Sequence, residues 1–116
     1  MTQRSIVICD NDEAYVHAFS AYLMEHLRDV TIASFTSEEA FLASDTVYSI
    51  GILNKDFLSV LEFSGKDLVR EKFYLCDDVI ADEYEHLPMV YKYQSMEIVE
   101  EMLKRMQQKE TSSWWN

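Results

Sequence analysis

The sequence predicts an α/β fold in which five short strands alternate with helices, (βα)5, and form one parallel sheet. Three observations predict it: short apolar runs, amphipathic runs between them, and polar residues directly after the apolar runs. Short apolar strands separated by helices are typical of a parallel sheet covered on both faces, which gives a three-layer sandwich. With 116 residues, 48% of them hydrophobic, the chain can bury a single core without disulfides or metals.

The first strand–helix unit has the clearest pattern. Residues 5–10 form a buried strand. The helix that follows covers residues 12–28, where apolar residues recur at intervals of three or four positions and form one stripe. Either Asn11 or Asp12 can accept a hydrogen bond from the first turn of this helix, so one of them is expected to be its N-cap.

The next units repeat this arrangement. Residues 30–35 alternate in character, as strands do. The sequence Thr-Ser-Glu-Glu at residues 36–39 is a capping-box pattern, which predicts a short helix over residues 37–44. The apolar residues 48–53 then form the third strand, and Asn54 follows it.

The segment after Asn54 is less regular. Residues 57–70 contain apolar residues at helical spacing, but Ser64-Gly65 interrupts them, so we expect one weak or interrupted helix. Residues 72–76 form the fourth strand. The acidic residues 77–87 form one or two helical turns.

The last unit completes the sheet. Residues 89–93 form the fifth strand, and Ser95 caps a final helix that ends near Gln108. Right-handed crossovers then give the flavodoxin-like strand order 2-1-3-4-5. We expect residues 1–108 to form this domain and residues 109–116 to be a tail or the beginning of a linker to a missing domain. The packed face of the final helix consists of Met96, Val99, Leu103 and Met106.

The charge and composition exclude several classes of function. The net charge of −11 argues against nucleic-acid binding and against adhesion to anionic lipid, because both require basic residues. No apolar run approaches the roughly 20 residues that span a bilayer. The N-terminus leads into a strand without a secretory signal, so we expect a cytoplasmic protein in which Cys9 and Cys76 are reduced core thiols.

Polar side chains follow the strands and are expected to meet at one edge of the sheet. In parallel sheets of this kind, functional sites lie beyond the carboxyl ends of the strands. Asn54 is the most informative of these residues, because it places an uncharged amide at a strand end, next to the carboxylates of the first strand. We expect Asn54 at an exposed strand end, where Asn54→Asp changes stability by less than about 1 kcal/mol. The full set is Asp10, Asn11, Asp12, Asn54, Asp56, Asp77 and Lys92.

Ordinary structural roles can also account for these residues. Asp10 and Asp12 can act as helix N-caps and partners of the helix dipole. Lys92 can simply offset the acidic cluster, and Asn54 can be a strand-end turn residue. The three histidines are widely separated, and two cysteines are too few for a zinc site, so no metal or cofactor site is predicted.

The arrangement resembles the receiver domains of two-component response regulators. The apolar run from Ile6 followed by acidic residues is similar to the receiver pattern, with Asp10 at the first acidic position and Asn11 at the second, which normally binds metal. Asn54 falls on the phosphoacceptor position and Lys92 on the position of the lysine. The resemblance implies a receiver fold in which Asn11 and Asn54 have replaced the carboxylates that Mg²⁺ and phosphoryl transfer need.

Other positions depart from the receiver pattern. Cys76 or Asp77 falls where receivers carry a hydroxyl that senses the phosphoryl group, and an aspartate there would repel that group. Tyr93 replaces the proline that usually follows the lysine, and Met89 occupies the position of the switch aromatic. We therefore interpret the chain as a non-phosphorylated, non-enzymatic receiver-like module.

One run resembles a narrower family. Residues 90–98, with Lys-Tyr-Gln-Ser inside them, are similar to the end of the atypical receiver domain that precedes a ParA/MinD-like ATPase in Tad-pilus localisation proteins. The resemblance implies a role in placing a pilus or secretion assembly through protein contacts. The chain has two glycines and no Walker A pattern, so any ATPase would lie outside it.

Three functions remain open from the sequence. In the first, the chain binds a protein partner or forms a homodimer through strand 5 and helix 5, with Tyr91, Tyr93, Met96 and the acidic segment 77–86 as interface candidates. In the second, it is a phosphorylatable receiver that uses Asp56 or Asp10. In the third, it is an unrelated flavodoxin-like domain for a small anionic ligand, against which the few glycines argue.

Overall fold

A computed structural model describes residues 4–77, 84, 86–94, 96–97, 100–101 and 103–104. Its five strands are parallel and lie in the order β2-β1-β3-β4-β5, which confirms the predicted (βα)5 flavodoxin-like fold. Residues 96–97, 100–101 and 103–104 are also helical, and we call them the C-terminal helix. The elements are β1 (Arg4–Cys9), α1 (Glu13–His26), β2 (Val30–Phe35), α2 (Glu38–Ala43), β3 (Tyr48–Leu53), α3 (Lys55–Ser64), β4 (Val69–Cys76) and β5 (Met89–Tyr91).

Side-chain oxygens cap the N-termini of α1, α2 and α3. Asp12 accepts a hydrogen bond from the Tyr15 backbone N–H at 3.2 Å, so Asp12 rather than Asn11 is the N-cap of α1. Ser37 caps α2 and Asn54 caps α3 in the same way. Each cap satisfies an N–H group that the first helical turn leaves without a partner.

The sheet separates two apolar cores. On one face, β-strand residues pack against α1 and the C-terminal helix, where Phe19, Leu23 and Leu103 are fully buried. On the other face, the strands pack against α2 and α3, and both Cys9 and Cys76 lie there as buried thiols. No helix in the described part of the chain is long and apolar enough to cross a membrane.

Gly51, in the central strand β3, lets the second face pack closely. A Cβ atom at Gly51 would lie 2.7 Å from Cγ1 of Val69 and 2.9 Å from Cδ1 of Leu53. Non-bonded carbon atoms in proteins do not approach this closely, so a side chain at residue 51 would force the packing between β3 and β4 apart.

The structure corrects the prediction for the segment after Asn54. The predicted helix over residues 57–70 begins earlier, at Lys55, and ends at Ser64. Gly65 follows it in the left-handed conformation, with φ of 70°, which few other residues adopt without strain. Strand β4 begins at Val69 and not at residue 72, and Leu68 lies directly before it.

The last strand is shorter than the sequence predicts. Strand β5 ends at Tyr91 rather than at residue 93, because the Gln94 side chain accepts a hydrogen bond from the Tyr91 N–H at 2.7 Å and the backbone turns there. The short helical turns predicted over residues 77–87 fall mostly outside the described residues. So do Ser95, Val99, Met106 and the tail 109–116.

Candidate functional site

The predicted strand-end residues lie together at the carboxyl edge of the sheet. Backbone hydrogen bonds continue the ladder one residue beyond each strand and fix these positions. The N–H of Asp10 donates to Phe35, that of Asn54 to Cys9, and that of Lys92 to Cys76, at 3.0 to 3.3 Å. Six of the seven side chains that the sequence places at this edge are therefore brought together here: Asp10, Asn11, Asp12, Asn54, Asp77 and Lys92. The seventh, Asp56, lies in the first turn of α3.

Asp10 is the centre of this cluster. It is one of two buried polar residues in the described part of the chain, with 4% of its surface exposed. Its Oδ1 accepts a hydrogen bond from the Asn54 amide at 2.8 Å. Its Oδ2 accepts from the Asp12 backbone N–H at 3.0 Å and from the Lys92 ammonium at 2.9 Å. Both oxygens thus have donors, as a buried carboxylate requires.

The Asn54 side chain is fixed at both ends of its amide. Its Oδ1 accepts a hydrogen bond from the Phe57 N–H at 3.0 Å and caps α3. Its Nδ2 donates to Asp10 at 2.8 Å and to Asn11 at 3.3 Å. The expectation of an exposed strand end is therefore wrong: Asn54 is partly buried and joins two strand ends, and it is not a simple turn residue.

Asn11 points its amide nitrogen away from the cluster. Its Nδ2 donates to the Thr36 carbonyl at 3.0 Å and to Glu38 at 2.7 Å, so Asn11 ties the end of β1 to the beginning of α2. Only its amide oxygen faces Asn54. Asn11 and Asn54 each donate and accept hydrogen bonds, which an amide can do. Asp10 only accepts them, as an ionised carboxylate does.

Lys92 is the cation of the cluster. Its Nζ lies 2.9 Å from Asp10, 3.6 Å from Asp77 and 3.8 Å from Asp12, and 10% of its side chain is exposed. The Tyr15 ring lies below it, with the ring centroid 5.1 Å from Nζ. Burial alone would lower the pKa of Lys92, but the hydrogen bond to Asp10 and the nearby carboxylates outweigh it and raise that pKa. The lysine is therefore protonated at neutral pH.

The arrangement does not suit the magnesium ion that receivers bind. Two of the expected carboxylate positions carry the amides of Asn11 and Asn54, and the oxygens of Asp10 already accept from an amide, a backbone N–H and an ammonium. A dication at this position would face the positive charge of Lys92. In the described ranges, no group of three or more histidine, cysteine, aspartate or glutamate side chains could hold a metal ion.

The two alternative phosphoacceptors, Asp56 and Asp10, differ in their exposure to solvent. Asp56 is exposed in the first turn of α3. Asp10 is buried, with both oxygens engaged. A surface groove of about 280 Å³ lies near the C-terminal end of α3, and its lining includes Tyr84 and His86 of the segment 77–86 but none of the strand-end residues.

The interface candidates do not form one continuous patch. Tyr91 is half-buried and packs on the α3 side of the sheet, whereas Met96 packs on the α1 side. Tyr93 lies in the turn between them and is 82% exposed. Of the three, Tyr93 alone protrudes. Only Asp77, Tyr84 and His86 of the acidic segment 77–86 are described.

The sequence reasoning missed the part played by α1. Besides Tyr15 under Lys92, Tyr22 donates a hydrogen bond from its hydroxyl to Glu100 of the C-terminal helix at 2.9 Å. The spacing of seven residues places both tyrosines on one side of α1, which is the signal that could have revealed them. Burial and this hydrogen bond raise the pKa of Tyr22. Burial alone would raise the pKa of Glu100. The hydrogen bonds that Glu100 accepts from Lys104 and Tyr22 outweigh burial, so the pKa of Glu100 is lowered.

Comparison with known proteins supports the fold. No model of a known protein family matches the chain, and no curated protein does. Among solved structures, a chain of the crystal structure of the phosphorylated P1 domain of CheA3 in complex with CheY6 from R. sphaeroides is similar. Its TM-score is 0.60 at 18% identity, over 90% of this chain and 98% of that chain. At this identity the likeness shows the fold, which is flavodoxin-like and of the receiver type.

Proposed function

We propose that this chain is a non-enzymatic, receiver-like module that binds proteins without being phosphorylated at the strand-end acceptor position. The observation that carries the proposal is the Asn54 amide. Its oxygen caps α3 and its nitrogen donates to Asp10, so it is neither a nucleophile nor a metal ligand. The Lys92 ammonium, which in a receiver would pair with phosphoryl oxygens, is already surrounded by carboxylates.

Incubation with a small phosphodonor, followed by intact mass measurement, tests this proposal. We expect no phosphorylated species for the natural chain. Phosphorylation that Asp56→Asn abolishes would identify Asp56 as an acceptor, and phosphorylation that only Asp10→Asn abolishes would identify Asp10. Either result would replace the proposal with a phosphorylatable receiver. Lys66→Gln, a change at an exposed residue outside the cluster, is the control.

The surface that we propose for a protein partner is centred on Tyr93, in the turn between β5 and the C-terminal helix. Tyr93 follows Lys92 directly and is 82% exposed, so the partner would sit next to the polar cluster. Aromatic residues are favoured at the centres of interfaces because they bury a large area with few rotatable bonds. A second copy of the chain is one such partner, and a basic protein is another, since the chain carries a charge of −11.

Replacing Tyr93 tests this surface. Tyr93→Glu should weaken binding to the partner, or shift a self-associated species to monomer in sedimentation, and leave the circular dichroism spectrum unchanged. Phe63→Glu is a matched control, because Phe63 is 90% exposed at the end of α3. Equal loss of binding in both variants would point to a general charge effect and would count against a surface centred on Tyr93.

We propose that the cellular role is to place a pilus or secretion assembly from the cytoplasmic side. The run Lys-Tyr-Gln-Ser after β5, similar to that of Tad-pilus localisation proteins, supports this role. A fluorescent fusion of the chain in piliated bacterial cells should form a focus at the assembly site, and Tyr93→Glu should disperse it. A diffuse natural fusion in cells with intact pili would contradict the role in placement while leaving the absence of phosphorylation untouched.

A further inference from the structure

The edge strand β5 has a backbone donor that faces away from the sheet. Within the described residues, β5 pairs only with β4, and the Lys92 N–H, one residue beyond the strand, donates to Cys76 of β4 at 3.0 Å. Because neighbouring residues of a strand point their N–H groups to opposite sides, the Tyr91 N–H points to the outer edge. The Gln94 side chain reaches back to it, and the Gln94 Oε1 accepts from the Tyr91 N–H at 2.7 Å. Gln94 thus satisfies a donor that the sheet leaves without a strand partner.

A second hydrogen bond closes the same turn. The Gln94 N–H donates to the Tyr91 carbonyl at 3.1 Å, so residue 94 both donates to residue 91 and accepts from it. A capping box contains the same pattern, in which a glutamine side chain accepts from the N–H three residues earlier. The turn, Tyr-Lys-Tyr-Gln, contains neither proline nor glycine, and none of its residues has a positive φ. No residue of the turn presets its backbone conformation, so the hydrogen bonds of Gln94 hold its shape.

The turn carries two neighbouring side chains of opposite exposure. Lys92, with 10% of its side chain exposed, points into the polar cluster, where its Nζ lies 2.9 Å from Asp10. The same Nζ lies 5.1 Å from the centroid of the Tyr15 ring. Tyr93, the next residue, is 82% exposed. Since both residues lie inside the turn that Gln94 closes, a change in the turn would move both side chains.

We propose that Gln94 is a positioning residue, which fixes this turn so that Lys92 stays in the polar cluster and Tyr93 stays directed toward solvent. The cluster and the exposed tyrosine are then two sides of one rigid turn, and a perturbation on one side reaches the other through the backbone of residues 91–94. The role of Tyr93 as a binding residue rests on the function proposed above, whereas the position of Lys92 does not depend on it.

Nuclear magnetic resonance of the free chain tests this role without a partner or a phosphodonor. Gln94→Met keeps the length of the side chain and removes the accepting oxygen. In this variant, amide hydrogen exchange of Tyr91 should be about tenfold faster, because its N–H loses a hydrogen bond. The ring-current shift that the Tyr15 ring gives to the Lys92 side chain should largely disappear. The backbone order parameter of Tyr93 should fall.

A conservative variant and a matched control separate positioning from a general effect of methionine. Gln94→Glu keeps an oxygen that can accept from the Tyr91 N–H, so it should restore the slow exchange and the ring-current shift. Ala21→Met, on the exposed side of α1, adds the same side chain without a change of charge and should alter neither signal. An unchanged ring-current shift of Lys92 in Gln94→Met would overturn the positioning role.

A double-mutant cycle with Lys92→Met tests the link to the cluster in a second way. Gln94→Met should raise the equilibrium constant for unfolding about tenfold in the natural chain, and about threefold or less in a chain that already lacks Lys92. Equal factors in the two backgrounds would mean that Gln94 only caps the strand end, and would refute its action through Lys92. If the double variant does not fold, the ring-current shift decides. The phosphodonor experiment measures the proposed lack of phosphorylation separately.

Discussion

Asn54→Asp is the change that tests the strand-end cluster most directly. It keeps the shape of the side chain and an oxygen that can accept from the Phe57 N–H, so the cap of α3 survives. It removes the donor that now lies 2.8 Å from Asp10 and replaces it with a second carboxylate. The substitution therefore adds one negative charge and removes the strong hydrogen bond to Asp10 together with the longer one, at 3.3 Å, to the Asn11 amide oxygen.

The expected loss follows from these two terms. A hydrogen bond to a charged group contributes about 1.5 to 3 kcal/mol, and this one is lost. Two carboxylates about 3 Å apart would repel by about 5.5 kcal/mol at an effective dielectric constant of about 20, but uptake of one proton limits that cost. A negative charge at the N-terminus of α3 is favourable and offsets part of this loss. The net destabilisation that we expect at pH 7 is about 3 kcal/mol.

The pH dependence provides a second signature. The facing carboxyls of the variant share a proton, so the introduced group has a folded pKa above the unfolded value of about 3.9. The folded variant then binds more protons than the unfolded chain between these two values, and its stability falls as pH rises through that window. The deficit relative to the natural chain should thus be large at pH 7 and small near pH 4.

Chemical denaturation at several pH values measures both effects. Lys55→Gln changes the net charge by the same amount at the next residue, which is exposed, and should change stability by less than about 0.5 kcal/mol. A deficit below about 1 kcal/mol for Asn54→Asp at pH 7, constant with pH, would mean that Asn54 does not donate to Asp10 in solution.

Further predictions concern neighbouring groups. Lys92→Met leaves buried Asp10 without its cation and should cost about 3 to 5 kcal/mol in denaturant unfolding. Since the pKa of Lys92 is raised in the folded state, its contribution should persist below about pH 10.4 and disappear only above that. Mg²⁺ at millimolar concentration should cause no saturable NMR shift of Asp10 or Lys92. Gly51→Ala should cost about 1 to 3 kcal/mol, because its Cβ would overlap Val69. The lowered pKa of Glu100 stabilises the fold above about pH 4.3 and less as pH falls further, and Glu100→Gln should remove that acid-side loss.

Local patterns were sufficient to predict the elements and their order. Apolar runs predicted β2 and β3 with their observed ends, and the capping pattern predicted a helix over residues 37–44, where α2 covers Glu38–Ala43 with Ser37 as its cap. The error at residues 57–70 arose because Leu68 and Val69 continue a helical spacing that Gly65 has already broken. A left-handed residue ends a helix whatever apolar residues follow it.

The environment of the site residues was harder to predict, because it depends on partners far away in the sequence. Asn54 donates to Asp10, 44 residues earlier, and Asp10 accepts from Lys92, 82 residues later. The strand order places these groups at one edge, but it does not determine which oxygen meets which donor. Tyr91 and Met96 were expected on one surface, yet the sheet separates them, because Tyr91 packs on the α3 side.

The interlocked bonds at the carboxyl edge also restrict how such a pocket could change over evolution. Asn54 donates a hydrogen bond to Asp10, Asp10 accepts another from Lys92, and Asn11 donates its amide to Glu38 at the beginning of α2. A substitution that places a carboxylate at residue 54 should therefore lower stability unless a neighbouring residue changes first. The effect of each substitution in this cluster depends on which residues occupy the other positions, so the order in which substitutions arise matters as much as their number.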